Sequence, residues 1–410
     1  MMSADKNCRR FSCRIKNRED EKVDIKRVFL IILDSVGMGT APDAAEFGDI
    51  NPNTLGHIAA SVPGFKLPTM QYIGLGNIDG MEGFEASKYP LGSFARLREL
   101  SAGKDTTIGH WEIAGIISPN RLPTYPNGFP EEILQPFREQ TGRGVLGNCV
   151  ASGTTILEEL GEEHMRTGDL IVYTSADSVF QIAAHEEVVP IEKLYEYCRI
   201  ARKILTGKHG VARVIARPFV GTNAGNFKRT ANRRDFSLKP PAETIMTRLK
   251  DQGKTVACVG KIEDIFDGEG VTFAVHNQSN MDGMHHTDEC MEKFPEGLIF
   301  VNLVDFDTLW GHRRDVKGYA NGLIEFDKWL GNFVHKMQEG DVVMISADHG
   351  NDPTHPGTDH TREYVPLLIY GPQIPAGKNL GTIDGFCCIA QTIASMLHAG
   401  PMENGVDLFA

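Results

Sequence analysis

The sequence RVFLIILD, residues 27–34, is an unbroken apolar run of strand length that ends in an acid. Because it does not alternate apolar with polar residues, it is typical of a strand buried on both faces of a sheet. Segments of the same kind recur along the chain as DLIVYTSAD, VARVIARPF, KTVACVGK, GLIFVNLVDFD, DVVMISADHG and VPLLIYG. This recurrence predicts a sheet whose strands run mainly parallel.

Helical patterns lie between these runs. Residues 319–337, YANGLIEFDKWLGNFVHKM, keep apolar residues near 3.6 spacing, and PAETIMTRLKDQG ends in a glycine stop signal. The alternation predicts an α/β domain. Residues 119–239 differ, because they begin with a Pro/Asn-rich stretch and end in the basic NFKRTANRRDFSLKP. We therefore predict a catalytic core over 27–118 and 240–410 with a smaller α/β cap inserted at 119–239.

The composition and net charge of the chain argue against some classes of function. The chain has 410 residues and a formal net charge of -12, which argues against nucleic acid as a partner. No apolar stretch is long enough to span a bilayer. Eight cysteines without metal-ligand spacing favour reduced thiols in a cytoplasmic protein. Residues 1–26 are polar and charge-rich without the apolar segment of a secretory signal, and we predict a disordered tail there.

Acidic residues end three of the predicted strands: Asp34, then Asp305 and Asp307, then Asp348. Ligands of open α/β sheets bind outside the carboxyl ends of the strands. Carboxylates gathered there would repel one another, so we expect divalent cations to neutralise them.

Histidines accompany these acids, as His312 after Asp307, His349 directly after Asp348, and His360 in the same loop. Carboxylate and imidazole together suit Zn, Mn or Fe, and this many ligands exceeds the need of one ion. A pair of metals could clamp a transferring phosphoryl group. For any single residue the alternative stays open that the acid is a helix cap and the histidine a surface residue.

A candidate nucleophile lies in SAGKDTTIGHWEIAG, residues 101–115. Thr106 and Thr107 follow a Gly-Lys-Asp turn and precede an apolar-periodic segment, so either could simply cap a helix. A threonine hydroxyl at a helix N-terminus beside a metal could also attack phosphorus and hold a phosphoenzyme.

The order of these motifs, D-S, K-D-T, D-x-x-x-x-H, D-H-G-N and a last His, resembles the alkaline phosphatase superfamily and, within it, the bacterial type of phosphopentomutase. The stretches that carry the resemblance include LIILDSVGMGTAPDAAEFGD, GKDTTIGHWEIAG, IVYTSADSVFQIAAHEEVVP, FVNLVDFDTLWGHRRD and SADHGNDPTHPGTDHTREYVPLL. They extend over nearly the whole chain after residue 26. The resemblance implies an alkaline-phosphatase-like core and a cap.

The resemblance also implies roles for individual residues. Thr106 would carry the phosphoryl group, with two metal ions held by Asp34, Asp307, His312, Asp348, His349 and His360. Family practice suggests Mn²⁺ at both sites, whereas ligand chemistry alone does not separate Mn²⁺ from Zn²⁺.

In the cap and beside it, the resemblance gives Ser175 and Asp177 sugar contacts, and Arg213, Arg229 and Lys261 contacts to the distal phosphate. A basic cluster in an acidic protein agrees with phosphate binding, although a solvated basic loop is the alternative. Arg217, Arg233 and Arg234 carry no ligand role in this prediction.

The predicted activity is interconversion of ribose 1-phosphate and ribose 5-phosphate, and of their deoxyribose equivalents, through a phosphothreonine and a bisphosphate intermediate. The resemblance implies priming by a sugar bisphosphate activator and phosphosugars as the small-molecule partners, without nucleic acid or membrane. The alternative is a metal-dependent phosphohydrolase or phosphodiesterase on the same core. A non-enzymatic metal-binding protein is a third class, and a missing ligand would have indicated it.

Overall fold

The computed structural model describes residues 24–175 and 177–410. Its strands, in chain order, are β1 (Arg27–Leu33), β2 (Ser93–Arg98), β3 (Val145–Val150), β4 (Leu170–Thr174), β5 (Val179–His185), β6 (Arg213–Val220), β7 (Lys228–Arg229), β8 (Arg234–Ser237), β9 (Val256–Val259), β10 (Phe273–Val275), β11 (Gly297–Leu303), β12 (Asp341–Ser346), β13 (Val365–Tyr370) and β14 (Asn379–Asp384).

The α-helices are α1 (Thr54–Ser61), α2 (Pro68–Ile73), α3 (Thr106–Ile113), α4 (Glu131–Thr141), α5 (Thr155–Thr167), α6 (Ile191–Ile204), α7 (Ile245–Asp251), α8 (Ile262–Ile265), α9 (Asn280–Lys293), α10 (Val316–Lys336) and α11 (Cys388–Met396). A π-helical turn, Phe306–Gly311, follows β11, and short 3₁₀ turns lie at Ala44–Phe47, Leu75–Asn77 and Gly207–His209. Every apolar run that the sequence singled out lies on a strand: β1, β4, β6, β9, β11, β12 and β13.

Within the described residues, the larger sheet has eight strands in the order β10-β9-β11-β1-β12-β13-β2-β14. Of these eight described strands, β13 alone runs antiparallel to its neighbours, so the prediction of a mainly parallel α/β sheet is confirmed. The strand β1 is buried along its whole length, as the unbroken apolar run predicted, because helices cover both faces of such a sheet.

The central strands β11, β1 and β12 bring the predicted acids together. In register, Leu33 of β1 lies opposite Leu303 of β11, and Ile32 lies opposite Ser346 of β12. Because the three strands are parallel and adjacent, the residues that follow each of them emerge at the same edge of the sheet.

A smaller sheet, in the order β3-β4-β5-β6-β7 with β8 also paired to β6, is formed within residues 145–237. It has its own buried clusters: one contains Phe137 of α4 and Leu194 of α6, and another contains Ile156 of α5. The cluster of the larger sheet contains none of these residues. We propose that the inserted cap corresponds to this second sheet with its helices.

The tail predicted at residues 1–26 lies, up to residue 23, outside the described residues. Lys26 donates its backbone N–H to the carbonyl of Gly340 at 2.9 Å, directly before β1 begins. Within 24–175 and 177–410, no helix combines the length and the apolar character needed to cross a membrane.

Candidate metal centre and active site

Three carboxylates lie buried at the carboxyl edge of the larger sheet. Asp34 directly follows β1, Asp348 follows β12, and Asp307 lies in the π-helical turn after β11. Their exposed fractions are 1%, 0% and 5%. Because parallel strands β11, β1 and β12 are neighbours, acids that are far apart in sequence converge on one small volume.

The candidate nucleophile stands next to these acids at the start of α3. Asp105 caps this helix by accepting a hydrogen bond from the backbone N–H of Ile108 at 3.1 Å. A Cβ at Gly109 would overlap the carbonyl oxygen of Asp348, so a glycine lets the helix rest directly on that backbone. The Thr106 hydroxyl consequently lies 3.1 Å from Nε2 of His349.

Two overlapping sets of side chains have the geometry of metal sites. Ligand atoms of Asp34, Asp348 and His349 lie within 4.8 Å of one another, and so do those of Asp307, His349 and His360. His349 therefore lies between both sets, a feature that the assignment by resemblance did not include. His312 joins the second set, with Nε2 3.1 Å from Asp307 Oδ2 and 3.2 Å from His360 Nε2.

All three imidazoles are oriented through their other ring nitrogen. Nδ1 of His349 faces the carbonyl of Gly350 at 3.1 Å, Nδ1 of His360 faces Lys104 O at 3.1 Å, and Nδ1 of His312 faces Thr358 O at 2.6 Å. A carbonyl can only accept, so each Nδ1 carries the proton in the neutral ring. Each Nε2 lone pair is then directed to the acids, as in metal-binding histidines.

Two carboxylate oxygens in the first set lack hydrogen bonds. Asp34 Oδ1 and Asp348 Oδ2 are buried without a hydrogen-bond partner among the described residues. His110 Nδ1 is 3.0 Å from Asp348 Oδ2, but this nitrogen is also 2.9 Å from the Thr106 carbonyl, which accepts its hydrogen bond. Buried anionic oxygens of this kind are costly unless a cation reaches them, so the donor set fits a metal ion.

The charges of the site shift several pKa values. Burial, with the charges of Asp348 and Asp307, raises the pKa of Asp34 to about 6. Burial would also raise the pKa of Asp348, but His349 and His110 outweigh it and hold that pKa well below its usual range. Burial opposes the charge of His349, yet Asp348 raises the pKa of this imidazole well above its ordinary value. In the metal-free protein, the positive charge of the protonated imidazole therefore offsets the negative charge of the carboxylates.

In the second set, too, burial and the neighbouring histidines have opposite effects on the pKa of a carboxylate. Burial would raise the pKa of Asp307, but His360 and His312 together lower it well below the usual value. The hydrogen bond to Asp307 in turn raises the pKa of His312. Asp305, by contrast, accepts a hydrogen bond from the backbone N–H of Asn280 at 2.6 Å and belongs to neither set.

Two asparagines that the sequence analysis did not single out orient the acids. Asn302 donates to Asp34 Oδ2 at 2.9 Å, and Asn351 donates to Asp307 Oδ1 at 2.8 Å. Each had a signal in the sequence: Asn302 interrupts the apolar run FVNLV, and Asn351 closes the D-H-G-N motif. A polar side chain inside a buried strand needs a partner, and here the partner is a carboxylate of the site.

A cleft of about 1020 Å³ lies between the larger sheet and the cap, and Thr106, Asp307, His312 and His360 line its floor. Lys261 also lines it from the core, and Asp177 and Arg213 line it from the cap. Ser175 and Arg229 line a neighbouring cavity of about 270 Å³ within the cap, which Asp177 and Arg213 share. The residues predicted for sugar and phosphate contacts are thus divided between two connected cavities.

The chain is similar to known proteins over most of its length. Residues 26–400 match the model of the Metalloenzyme superfamily. A phosphopentomutase of Clostridium novyi (strain NT) is 56% identical over 93% of this chain and 97% of its own length. A phosphopentomutase of Acetivibrio thermocellus is 56% identical over 91% and 96%. Among solved structures, the PH0037 protein of Pyrococcus horikoshii is 16% identical, with a TM-score of 0.48 over 94% of this chain and all of that chain.

Proposed function

Because the chain belongs to the Metalloenzyme superfamily and, within it, to the phosphopentomutase family, we propose that it interconverts ribose 1-phosphate and ribose 5-phosphate through a phosphothreonine on Thr106. Membership of the family makes it a phosphosugar mutase, which is an isomerase that moves a phosphoryl group within one sugar. The observation that carries the proposal is the position of the Thr106 hydroxyl, 3.1 Å from His349 and open to the cleft below the cap.

The residues that would hold two divalent ions are those of the two overlapping sets, namely Asp34, Asp348 and His349, and Asp307, His312 and His360. Bound ions would supply positive charge that favours the deprotonated hydroxyl of Thr106 and offsets charge on the transferring phosphoryl group. The ligands suit Mn²⁺ as well as Zn²⁺, and family resemblance favours Mn²⁺.

Thr106 contributes the nucleophile from the first residue of α3. Its hydroxyl would attack phosphorus of the bisphosphate, and the sugar oxygen would leave with the bonding electron pair and take up a proton. The N-terminus of α3 favours the negative charge that this threonine then carries. In the next step the phosphothreonine would donate its phosphoryl group to the free hydroxyl of a pentose monophosphate, which reforms a bisphosphate.

The cap would hold the bisphosphate while it reorients between the two transfers. Asp177 faces the cleft and can accept hydrogen bonds from sugar hydroxyls, with Ser175 in the adjoining cavity. Arg213, Arg229 and Lys261 would bind the phosphate that is not reacting, since guanidinium and ammonium groups suit phosphate oxygens. Keeping water out of this cleft is what separates a mutase from a phosphatase.

Further properties follow from the family and belong to the same proposal. We expect priming by a sugar bisphosphate activator, action on the deoxyribose substrates, a cytoplasmic location and a role in nucleoside catabolism. We expect neither nucleic acid nor a membrane as a partner, in keeping with the net charge of -12. A phosphohydrolase or phosphodiesterase on the same core is not favoured, because the relatives with high identity are phosphopentomutases.

A coupled assay tests the proposal. Ribose 1-phosphate is supplied with a catalytic amount of glucose 1,6-bisphosphate and Mn²⁺, and ribose 5-phosphate and inorganic phosphate are both quantified. A mutase yields ribose 5-phosphate in large excess over inorganic phosphate. Stoichiometric release of inorganic phosphate, with little ribose 5-phosphate, would instead support the hydrolase.

A further inference from the structure

The segment that joins β2 to α3, residues 99–104, is held by buried charged side chains. It has no regular secondary structure, and Thr106 follows it after one further residue. Buried backbone groups need hydrogen-bond partners, which secondary structure normally provides. Here two side chains that are distant in sequence, Arg362 and Glu112, bind the backbone of the segment instead.

Arg362 binds three carbonyl groups of this segment, and its exposed fraction is 2%. Nη1 donates to Gly103 O at 2.5 Å, and Nη2 donates to Ser101 O at 2.9 Å and to Glu99 O at 3.0 Å. Asp43 orients the guanidinium, since it accepts from Nε at 3.1 Å and from Nη2 at 2.9 Å. One planar group with fixed donor directions therefore fixes the path of the backbone over residues 99–103.

Glu112 binds two N–H groups of the same segment. It belongs to α3, the helix that begins with Thr106, and it is fully buried. Its Oε1 accepts from the backbone N–H of Leu100 at 2.8 Å, and its Oε2 accepts from that of Ser101 at 2.6 Å. The helix that carries the nucleophile is therefore tied to the segment that leads into it.

The segment is also tied to the loop that carries His360. Arg362 lies two residues after His360, whose Nδ1 faces Lys104 O at 3.1 Å. Asp49 bridges the two chains, because it accepts from the backbone N–H of Arg362 at 2.7 Å and from Nζ of Lys104 at 3.1 Å. A shift of residues 99–104 would therefore move Thr106 relative to the histidines of the site.

We propose that Arg362 and Glu112 are positioning residues for phosphoryl transfer, which fix residues 99–104 and so keep the Thr106 hydroxyl in place beside His349. This inference rests on the proposed function, and it adds two residues that do not line the cleft. Burying a guanidinium and a carboxylate carries a desolvation cost that an ordinary loop does not need. Exact placement of a nucleophile accounts for it, since a displacement of about 1 Å can lower a rate about a hundredfold.

Rapid-quench kinetics of the full chain tests the proposal. Each protein is saturated with Mn²⁺ and mixed with glucose 1,6-bisphosphate, and phosphothreonine on Thr106 is quantified over time at several bisphosphate concentrations. Arg362→Lys keeps the charge but not the planar fork, and we expect the maximal rate of phosphorylation to fall about ten- to a hundredfold. Glu112→Gln keeps the shape but turns an amide donor towards a backbone N–H, and the rate should fall in the same way. The bisphosphate concentration that gives half the maximal rate should not change.

Arg27→Lys is the matched control. Arg27 is also 2% exposed, pairs with Asp341 at 2.8 Å and donates to Phe294 O at 2.5 Å. It begins β1, however, and so lies roughly 20 Å along the strand from the site. Arg27→Lys should lower the urea midpoint of unfolding, as Arg362→Lys does, and should phosphorylate Thr106 at the wild-type rate.

Unchanged maximal rates in both Arg362→Lys and Glu112→Gln would overturn the proposal. So would an equal loss of rate in Arg27→Lys, since lost stability alone would then explain the effect. A change confined to the half-saturating concentration would overturn it as well, because the two residues would then act on binding. Asp43→Asn keeps the buried guanidinium and weakens only its orientation, so it should show a smaller loss of rate and replaces the other variants if they do not fold.

The isomerisation assay of the wild-type protein keeps this inference distinct from the proposed function. If the wild-type protein isomerises ribose 1-phosphate while Arg362→Lys and Glu112→Gln phosphorylate Thr106 as fast as wild type, only the positioning role is wrong. If both variants phosphorylate Thr106 slowly while the wild-type protein only hydrolyses its substrate, the positioning role is supported and the mutase proposal is wrong.

Discussion

Replacing Asp34 by asparagine should make the metal-free protein more stable and the metal-loaded protein less stable. Asp34 is buried between Asp348 and Asp307, and its Oδ1 has no hydrogen-bond partner among the described residues. An asparagine keeps the shape and can still accept the hydrogen bond from Asn302, but it carries no charge. The substitution therefore isolates the cost of the buried carboxylate.

The magnitude follows from the pKa of Asp34, which rises from 3.8 to about 6 in the folded chain. A raised pKa means that the folded protein holds this proton more tightly than the unfolded chain does. Stability is therefore lost as the pH rises from 3.8 to about 6, and the whole cost is present above that range. At 1.36 kcal/mol per pKa unit, the cost at pH 7.5 is at most about 3 kcal/mol.

Metal binding should reverse which of the two proteins, wild type or Asp34→Asn, is the more stable. An ion at a concentration of 100 Kd stabilises a folded protein by about 2.7 kcal/mol, and the asparagine variant loses this contribution at the first site. We therefore expect Asp34→Asn to unfold at higher urea concentration than wild type after chelation, and at lower concentration with saturating Mn²⁺. The difference between the metal-free proteins should disappear below about pH 4.

Tryptophan fluorescence during urea unfolding is a suitable assay, because all three tryptophans, Trp111, Trp310 and Trp329, pack in the core that contains the site. Asp251→Asn, at an exposed position of α7, is the control and should not change the midpoint under either condition. A metal-free Asp34→Asn protein that is less stable than wild type at pH 7.5, or a difference that does not depend on pH, would refute the reasoning.

Further substitutions address the nucleophile, the metals and the cap. Thr106→Ala should abolish both turnover and formation of the phosphoenzyme. Peptide mass spectrometry of the primed wild-type protein should find the phosphate on Thr106. Phosphate on Thr107 would contradict this assignment. Metal analysis of the wild-type protein should approach two divalent ions per chain. His349→Ala should reduce metal occupancy at both sites, and His360→Ala mainly at one. Full activity after exhaustive chelation would exclude the two-metal proposal. Arg229→Ala should cut the rate of isomerisation by about ten- to a hundredfold, because one charge-assisted contact is worth about 1.5–3 kcal/mol. The measurement is the ratio of isomerised sugar to released phosphate. An unchanged ratio would argue against a phosphate clamp in the cap.

The sequence by itself determined the strands, the class of fold and most of the chemistry. Unbroken apolar runs such as residues 27–34 can be buried on both faces only in a covered, mainly parallel sheet, so composition and periodicity were sufficient. The acids and histidines after these runs indicated metal chemistry, because carboxylates at strand ends need a cation. The motif around Thr106 added a nucleophile, and the family resemblance connected it to phosphoryl transfer.

The tertiary structure alone decided which side chains meet. Periodicity shows that a strand is buried but not which strand lies next to it, so only the order β11-β1-β12 brings Asp34, Asp307 and Asp348 to one edge. Backbone carbonyls that face each Nδ1 aim the histidines, and their positions depend on how the loops fold.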